Sequence, residues 1–516
     1  MGLLSRIFGG GRSAARAYFA PGFGYEGARF TRRLRTWFPE RVSINALQAQ
    51  GGDILRARTR QLARDNALAA SAVDTWVGSA IGDGIVPSPM LTDKALKAAL
   101  KDTWLRWTDE CDADGVTDFY GLQALVARAV FVSGECFIRL RPRRLADGLS
   151  VPLQLQMIEA EQLPLNYNVE CSENGNEIRH GIEFNPIGQR VAYHFLKARP
   201  GDGAFAYGQE TADRTRVPAS DVIHIYRVLE SGQIRGQSQL TAAMVRLHLL
   251  DSYDDAELDR KRTAAMFAGF IEKKAIGDPL PVVPGHRPET LGAFGGIDAD
   301  VNVAPLSLDI EQTVADLEPG TMQVLNPGES IKFSEPADVG GSYEAFQYRQ
   351  QLAISAGLGV PYAAMSNDPS KGNFSSQRGV ELEYKRRISQ FQHQVIAFQM
   401  CRPIWARFIE IAAASMAIRG LTPAVMLRDR TKLGTVKWQP PKWDWVDPLK
   451  DLKADELELN LGLDSRSSKI EARGGDPDEV DRLRRDDQTR AEGIRPIGGP
   501  VEDPAPVEDA PAQHAA

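Results

Sequence analysis

The residues best equipped for chemistry in this sequence fall into a few clusters. Asp251, Asp254, Asp255 and Asp259 recur at spacings that a helix advancing about 100° per residue gathers on one face, with Ala242, Leu249, Tyr253, Ala256 and Phe267 opposite. Such a face repels phosphates, and a solvated surface and a channel wall are both open to it. A second polar set, Asn367, Asp368, Lys371 and Asn373, lies in YAAMSNDPSKGNFSSQ, whose Ser, Asn, Asp, Pro and Gly predict a loop. That loop suits single polar contacts to a phosphate backbone, or a plain surface connector. Asp112, Asp114 and Gly115 resemble the start of a calcium loop, but Gly121 stands where the bidentate Glu belongs, so a turn is expected. Gly22, Gly24 and Gly27 match G-x-G-x-x-G, yet they follow Pro21 in an Arg-rich stretch rather than a strand, which argues against a dinucleotide site. His180, His194, His224, His248, His286 and His393 have no ligand spacing and read as structural groups, with more left open for His194 and His224. Cys111, Cys136, Cys171 and Cys401 form no C-x-x-C pair and read as reduced packing residues. There is no phosphate loop, H-E-x-x-H or G-x-S-x-G motif, so no enzyme, cofactor or metal is expected.

The elements that must position these residues come from a chain of 516 residues, 43% hydrophobic and 25% charged, enough for several packed units. It contains no apolar run long enough to span a bilayer, and MGLLSRIFGG is too short in apolar residues for a secretory segment, so a cytoplasmic protein without membrane association is expected. The net charge of −7 is unevenly spread. Residues 1–70 hold twelve Arg and no Lys against four acids, and residues 1–43 read as a basic flexible arm. Solvent, nucleic acid or an acidic partner could face that arm. Residues 491–516 read as a disordered acidic tail.

Periodicity predicts helices over Asp53–Ile81, Lys94–Trp107 and Phe119–Phe131, the last leading through Ser133-Gly134 into the strand ECFIRLRP. Short alternating runs make 151–228 a β-rich unit. One helix over Leu240–Lys273 carries the four aspartates, and the strand-like TMQVL and SIKF follow a Gly- and Pro-rich stretch. Ser342 should cap a helix ending at Leu358. Ser375 or Ser376 should open a helix to Arg419, roughly 65 Å long. Its apolar stripe is Tyr384, Ile388, Phe391, Val395 and Phe398, and Pro403 should kink it near Met400–Arg402. Such a helix exceeds what one subunit can bury and invites a neighbour. Leu449–Leu461 and Pro477–Arg490 read as short charged helices.

Between Ala57 and Glu492 a series of segments stands in one order: RTRQLARDNALAASAVDTWVGSAIGDGI, DADGVTDFYGLQ, Ser133-Gly134-Glu135, LQLQMIEAEQL, RVPASDVIHIYR, GQIRGQSQL, LEPGTMQVLNPGESIKFSEP, ISAGLGVPYAAMSND, NFSSQRGVELEYKR and VDPLKDLKAD. Together they resemble the portal proteins of tailed phages, in the lambda-like branch. Phe374 stands where that family usually shows Tyr, and Gln350 where it commonly shows Arg. The resemblance implies a mixed α+β portal fold assembled as a ring, usually a dodecamer, without catalytic residues. It implies a wing (44–239), stem helices (240–273 and 342–358), a clip (274–341), a tunnel loop (359–377), a long kinked helix (378–420), a return to the wing (421–446) and crown helices (447–490). It also implies a DNA channel at the unique capsid vertex, serving genome packaging, head-tail connection and ejection. The implied partners are non-specific double-stranded DNA, the large terminase ATPase, the major capsid or scaffold protein and a head-tail adaptor. The implied location is the virion, after assembly in the host cytoplasm. Asp251, Asp254, Asp255, Asp259, Asn367, Asp368, Lys371 and Asn373 then become candidate channel-lining residues. A non-viral structural ring or scaffold would explain the missing catalysis but not the ordered segments. A magnesium nuclease using Asp112 and Asp114 is the enzymatic rival.

Overall fold

The computed structural model describes residues 32–37, 39, 41–172, 174–201, 213–266, 270–273, 329–332, 343–443 and 448–491. The GxGxxG glycines, Phe267, His286, the TMQVL strand, the Ser342 cap, the acidic tail and most of the expected arm and clip lie outside these residues.

Asn66 divides what periodicity reads as one helix. The chain forms α1 (Ile44–Asp65) and α2 (Ala67–Ile81). Asn66 is extended, its N–H donates to Leu62 O at the end of α1, and its side chain accepts from Ala69 N to start α2. One residue therefore serves two helix ends that a continuous helix would not have. After β1 (Val86–Pro89), helices α3 (Lys94–Glu110) and α4 (Phe119–Val132) begin on the side chains of Asp93 and Asp118. Their aromatic residues build the centre of the main core, where Trp104 meets Trp107, Phe119, Trp405 and Phe408.

The β-rich unit is two antiparallel sheets. One has the order β3-β2-β8, from Leu153–Glu159, Glu135–Pro142 and Val222–Tyr226. The other has the order β4-β5-β6-β7, from Glu177–Arg179, Ile182–Phe184, Arg190–Leu196 and Arg214–Pro218. Alternation along β2 sends Cys136 and Ile138 into the main core and Phe137 into a second core with Tyr193, Phe195 and Val217.

The expected single helix over Leu240–Lys273 is three elements: a 3-10 turn (Gln239–Ala242), α5 (Met244–Met266) and the strand β9 (Phe270–Lys273). Strand β9 pairs antiparallel with β10 (Glu329–Lys332). The FIEK run suits either state locally, and a distant partner decides it. Helices α6 (Tyr343–Leu358) and α7 (Tyr362–Ser366) follow, then α8 (Phe374–Phe391), a π-helical segment (Gln392–Cys401) and α9 (Arg402–Ala414). The perturbation falls where Pro403 demands it, because a proline without an N–H cannot complete the preceding turn. Tyr384, Ile388, Phe391 and Val395 are buried as the stripe predicts, but Phe398 is exposed. The wider π turn rotates it off the apolar side. The helix ends at Ala414 rather than Arg419, and the short helices α10 (Pro423–Arg428) and α11 (Arg430–Gly434) follow. Strand β11 (Val436–Gln439) pairs antiparallel with β1. The last helices are three instead of two, α12 (Pro448–Asn460), α13 (Arg466–Ala472) and α14 (Pro477–Ala491), since Ser465 caps an additional turn.

Candidate nucleic-acid interface

Helix α5 meets α6 through Arg246, Tyr253 and Asp254, and its Leu247 and Leu250 are buried in the main core. Asp251, Asp255 and Asp259 remain exposed, one turn apart, as an acidic stripe. Asp254 leaves that stripe. Its carboxylate accepts from Tyr343 Oη at 3.0 Å and from the Gln347 amide, because a step of three residues turns it toward α6. On the expected packed side Leu249 is exposed, while Tyr253 is half-buried against Tyr343 and Phe346. Val245, Leu249, Tyr253 and Phe346 line an open apolar groove of about 650 Å³ along the helix pair.

The expected loop over 362–377 is shorter than its composition suggests. Its first five residues form α7, held to α2 by Ser71 Oγ donating to Met365 O at 2.7 Å and Thr75 Oγ1 to Ala364 O at 3.1 Å. Asn367 ends α7 in the left-handed region, at φ 55°. Asp368 Oδ1 accepts from Ser370 N at 2.9 Å, and hydrogen bonding from Ser370 holds this carboxyl below its usual range. Lys371 Nζ lies 2.5 Å from Glu344 on α6, which raises the lysine and lowers the glutamate. Asn373, not Ser375 or Ser376, starts α8 by accepting from Ser376 N at 2.8 Å. The structure thus brings these four residues together, with the side chains of Asp368, Lys371 and Asn373 engaged in the turn, an ion pair and a helix cap.

Sequence reading missed the densest cluster of charge. Glu135 is fully buried and accepts from Arg56 at 2.6 Å, Arg235 Nε at 2.7 Å, His224 Nε2 at 3.0 Å and Gly236 N at 2.7 Å. Burial alone would raise its carboxyl, but Arg235, then Arg56 and His224, bring it well below the usual range. Arg235 also donates to His180 O, Ala160 O and Leu163 O. Arg190 Nη1 faces Nδ1 of His224 at 3.3 Å, so that nitrogen accepts and the ring is neutral. Burial accordingly holds His224 down at about 4. Gly134 and Gly236 let the two backbones cross: a Cβ on Gly236 would sit 2.2 Å from Gly134 O. The cluster ties α1, β2, β8 and the loop after β8 together and offers no surface to a substrate. His194 likewise joins Arg216 on the buried Glu183. The sequence signals for this cluster were Ser133-Gly134-Glu135, RVPASDVIHIYR with His224 and GQIRGQSQL with Arg235 and Gly236 among the ordered segments, none of which tells that these residues meet.

Asp112 makes the expected turn, accepting from the backbone of Asp114, Val116 and Thr117. Among the described residues, no group of three or more His, Cys, Asp or Glu could hold a metal ion. Burial pushes up the thiols of Cys111, Cys136 and Cys401, whereas Cys171 is exposed and is not a packing residue.

A family model described as phage portal protein, lambda family, matches residues 30–392, which include α5, α6 and the 367–373 turn. The chain belongs to the lambda family of phage portal proteins. This family membership sets aside the non-viral scaffold. The portal protein of Escherichia phage N15 is 23% identical over 94% of this portal chain and 93% of its own length. Portal protein B of Escherichia phage lambda is 22% identical over the same shares. A probable portal protein of Halomonas phage phiHAP-1 is 25% identical over 75% of the portal chain and 69% of its own. Among solved structures, the neck of an empty gene transfer agent particle computed with C6 symmetry is 14% identical, with a TM-score of 0.43, covering 90% of this chain and 99% of that one. An HK97 family phage portal protein from Corynebacterium diphtheriae is 11% identical, with a TM-score of 0.30, covering 76% and 95%. Among the described residues of the portal chain, no helix is long and apolar enough to cross a membrane.

Proposed function

We propose that this portal chain assembles into a closed ring, dodecameric as in its family, whose channel passes double-stranded DNA at a capsid vertex of the virion during packaging, head-tail connection and ejection. The observation that carries the reading is the stripe of Asp251, Asp255 and Asp259, which stays exposed on α5 while Leu247 and Leu250 are buried and Asp254 turns to α6. A conduit must not grip its cargo. Basic contacts to phosphates bind tightly and release counterions, whereas a carboxylate wall repels the duplex and keeps it centred. The apolar groove beside the stripe suits a neighbouring subunit. In this reading α1–α4 and the two sheets are the wing, α5 and α6 the stem, β9 and β10 the base of the clip, and α12–α14 the crown. The 367–373 turn is the tunnel loop, with Asn367, Asp368, Lys371 and Asn373 at its surface.

The ring performs no catalysis. A separate large terminase ATPase drives translocation, a capsid or scaffold protein seats the ring, and a head-tail adaptor meets it; assembly takes place in the host cytoplasm. Native mass spectrometry and electron microscopy of the purified protein should show a closed homo-oligomer. Changing Asp251, Asp255 and Asp259 to Lys should leave that ring intact and slow packaging through phosphate attachment. Unaltered packaging by an intact charge-reversed ring would remove the channel-wall assignment.

A further inference from the structure

Beside the foot of α6 lies an open cleft of about 420 Å³ that none of the interactions described above uses. Its floor is apolar, with Phe131, Phe391 and Val395 all buried. Its charged lining is Arg227, on the loop after β8, and Arg387, on α8, with four glutamine amides completing the polar part. No carboxylate lines the cleft, and both arginines are exposed. Arg227 Nη1 donates to Gln239 Oε1 at 2.7 Å, and Gln239 Nε2 donates to Leu358 O at 3.1 Å, tying this wall to the end of α6. Gly359, at φ +72°, marks the meeting point of the walls. A Cβ there would lie 3.4 Å from Gln239 Nε2 and 3.6 Å from Arg387 Nη1. The two guanidinium groups therefore flank one mouth without a counter-charge in its lining.

Forked guanidinium donors beside amide groups recognise an oxyanion with several acceptor oxygens. We infer that this cleft takes a backbone phosphate of double-stranded DNA, an inference that rests on the conduit reading. Position supports it: the cleft is lined by the last residues of α6, the helix that α5 and its acidic stripe pack against, and α7 and the 367–373 turn follow directly in the chain. The positive charge sits on exposed side chains above the buried apolar floor, open to a phosphate that approaches from solvent. An inserted carboxylate side chain would pass the arginines and end on the apolar floor. Both arginines are solvated, so each phosphate interaction exchanges readily and weakens with salt. The duplex would then be repelled along the stem and touched lightly at its foot.

The test compares the full-length chain with Arg227→Gln, Arg387→Gln and the double variant. Native mass spectrometry reads assembly, and fluorescence anisotropy of a short labelled duplex reads binding across a salt series. Both side chains are exposed, so folding should be unaffected. The inference expects unchanged rings, weaker duplex binding, and a plot of log affinity against log salt that is shallower by about 1 for each arginine replaced. Intact rings with an unchanged slope would overturn it. Rings that dissociate in the variants would assign the cleft to a neighbour's carboxylate instead. Displacement of the duplex by low inorganic phosphate at constant ionic strength would assign it to a free anion. A wild-type chain that stays monomeric would sink the conduit reading itself, an outcome distinct from these three.

Discussion

Glu135 shows how much one buried carboxylate can organise. It neutralises two arginines that would otherwise be stranded between the two cores, and removing one partner of such a pair leaves an uncompensated charge. Glu135→Gln should therefore destabilise the chain by about 3–5 kcal/mol, read as a lower urea midpoint. His224 adds a pH dependence. Its folded value, about 4, lies below the ordinary 6.5, so folding favours the neutral ring. Its contribution is complete above about pH 6.5 and is lost as pH falls from there toward 4. His224→Gln keeps a donor toward Glu135 and should flatten the stability profile in that window. An equally steep profile in the variant would move the titration to another group.

At the scale of the element, helix starts and stops were largely legible because capping is local. The starts at Lys94 and Phe119 and the stop at Leu358 stand where the sequence places them, and Pro403 marks the irregular stretch of the long helix. The start of α8 was misplaced by two or three residues, since Asn373, Ser375 and Ser376 can all cap and only geometry chooses among them. Asn373→Ala should cost about 1 kcal/mol at this end and speed amide exchange in the first turn of α8. Ser375→Ala should leave that exchange unchanged. Asp254 offers a sharper contrast: Asp254→Ala removes the acceptor of Tyr343 and Gln347 and should loosen the α5–α6 pair. Asp255→Ala, one residue further on, should not; hydrogen exchange along α5 compares the two.

At the scale of the whole molecule, the exposed groove along α5 and α6 is the part that a single subunit leaves unfinished. If a neighbouring copy fills it, Val245→Asp combined with Leu249→Asp should abolish the ring while the subunit stays folded. Sedimentation would then show a smaller species with an unchanged circular dichroism spectrum. A full-sized ring from that variant would place the subunit interface elsewhere.

The mixed helix-and-sheet class, most of the helices, the turn at Asp112 and the family were written in the sequence. Each rests on neighbours in the chain: periodicity, caps, turn chemistry and short motifs in a fixed order. Tertiary structure decided what depended on distant partners. Strand β9 exists because β10 pairs with it, and β1 finds β11 across most of the chain. Asp254 left the acidic face because Tyr343 and Gln347 meet it, and Glu135 draws its partners from α1, β8 and the loop beyond. A sequence specifies which side chains can accept a hydrogen bond or carry a charge. Only the folded backbone brings the donor within reach, and burial then sets how strongly the pair holds.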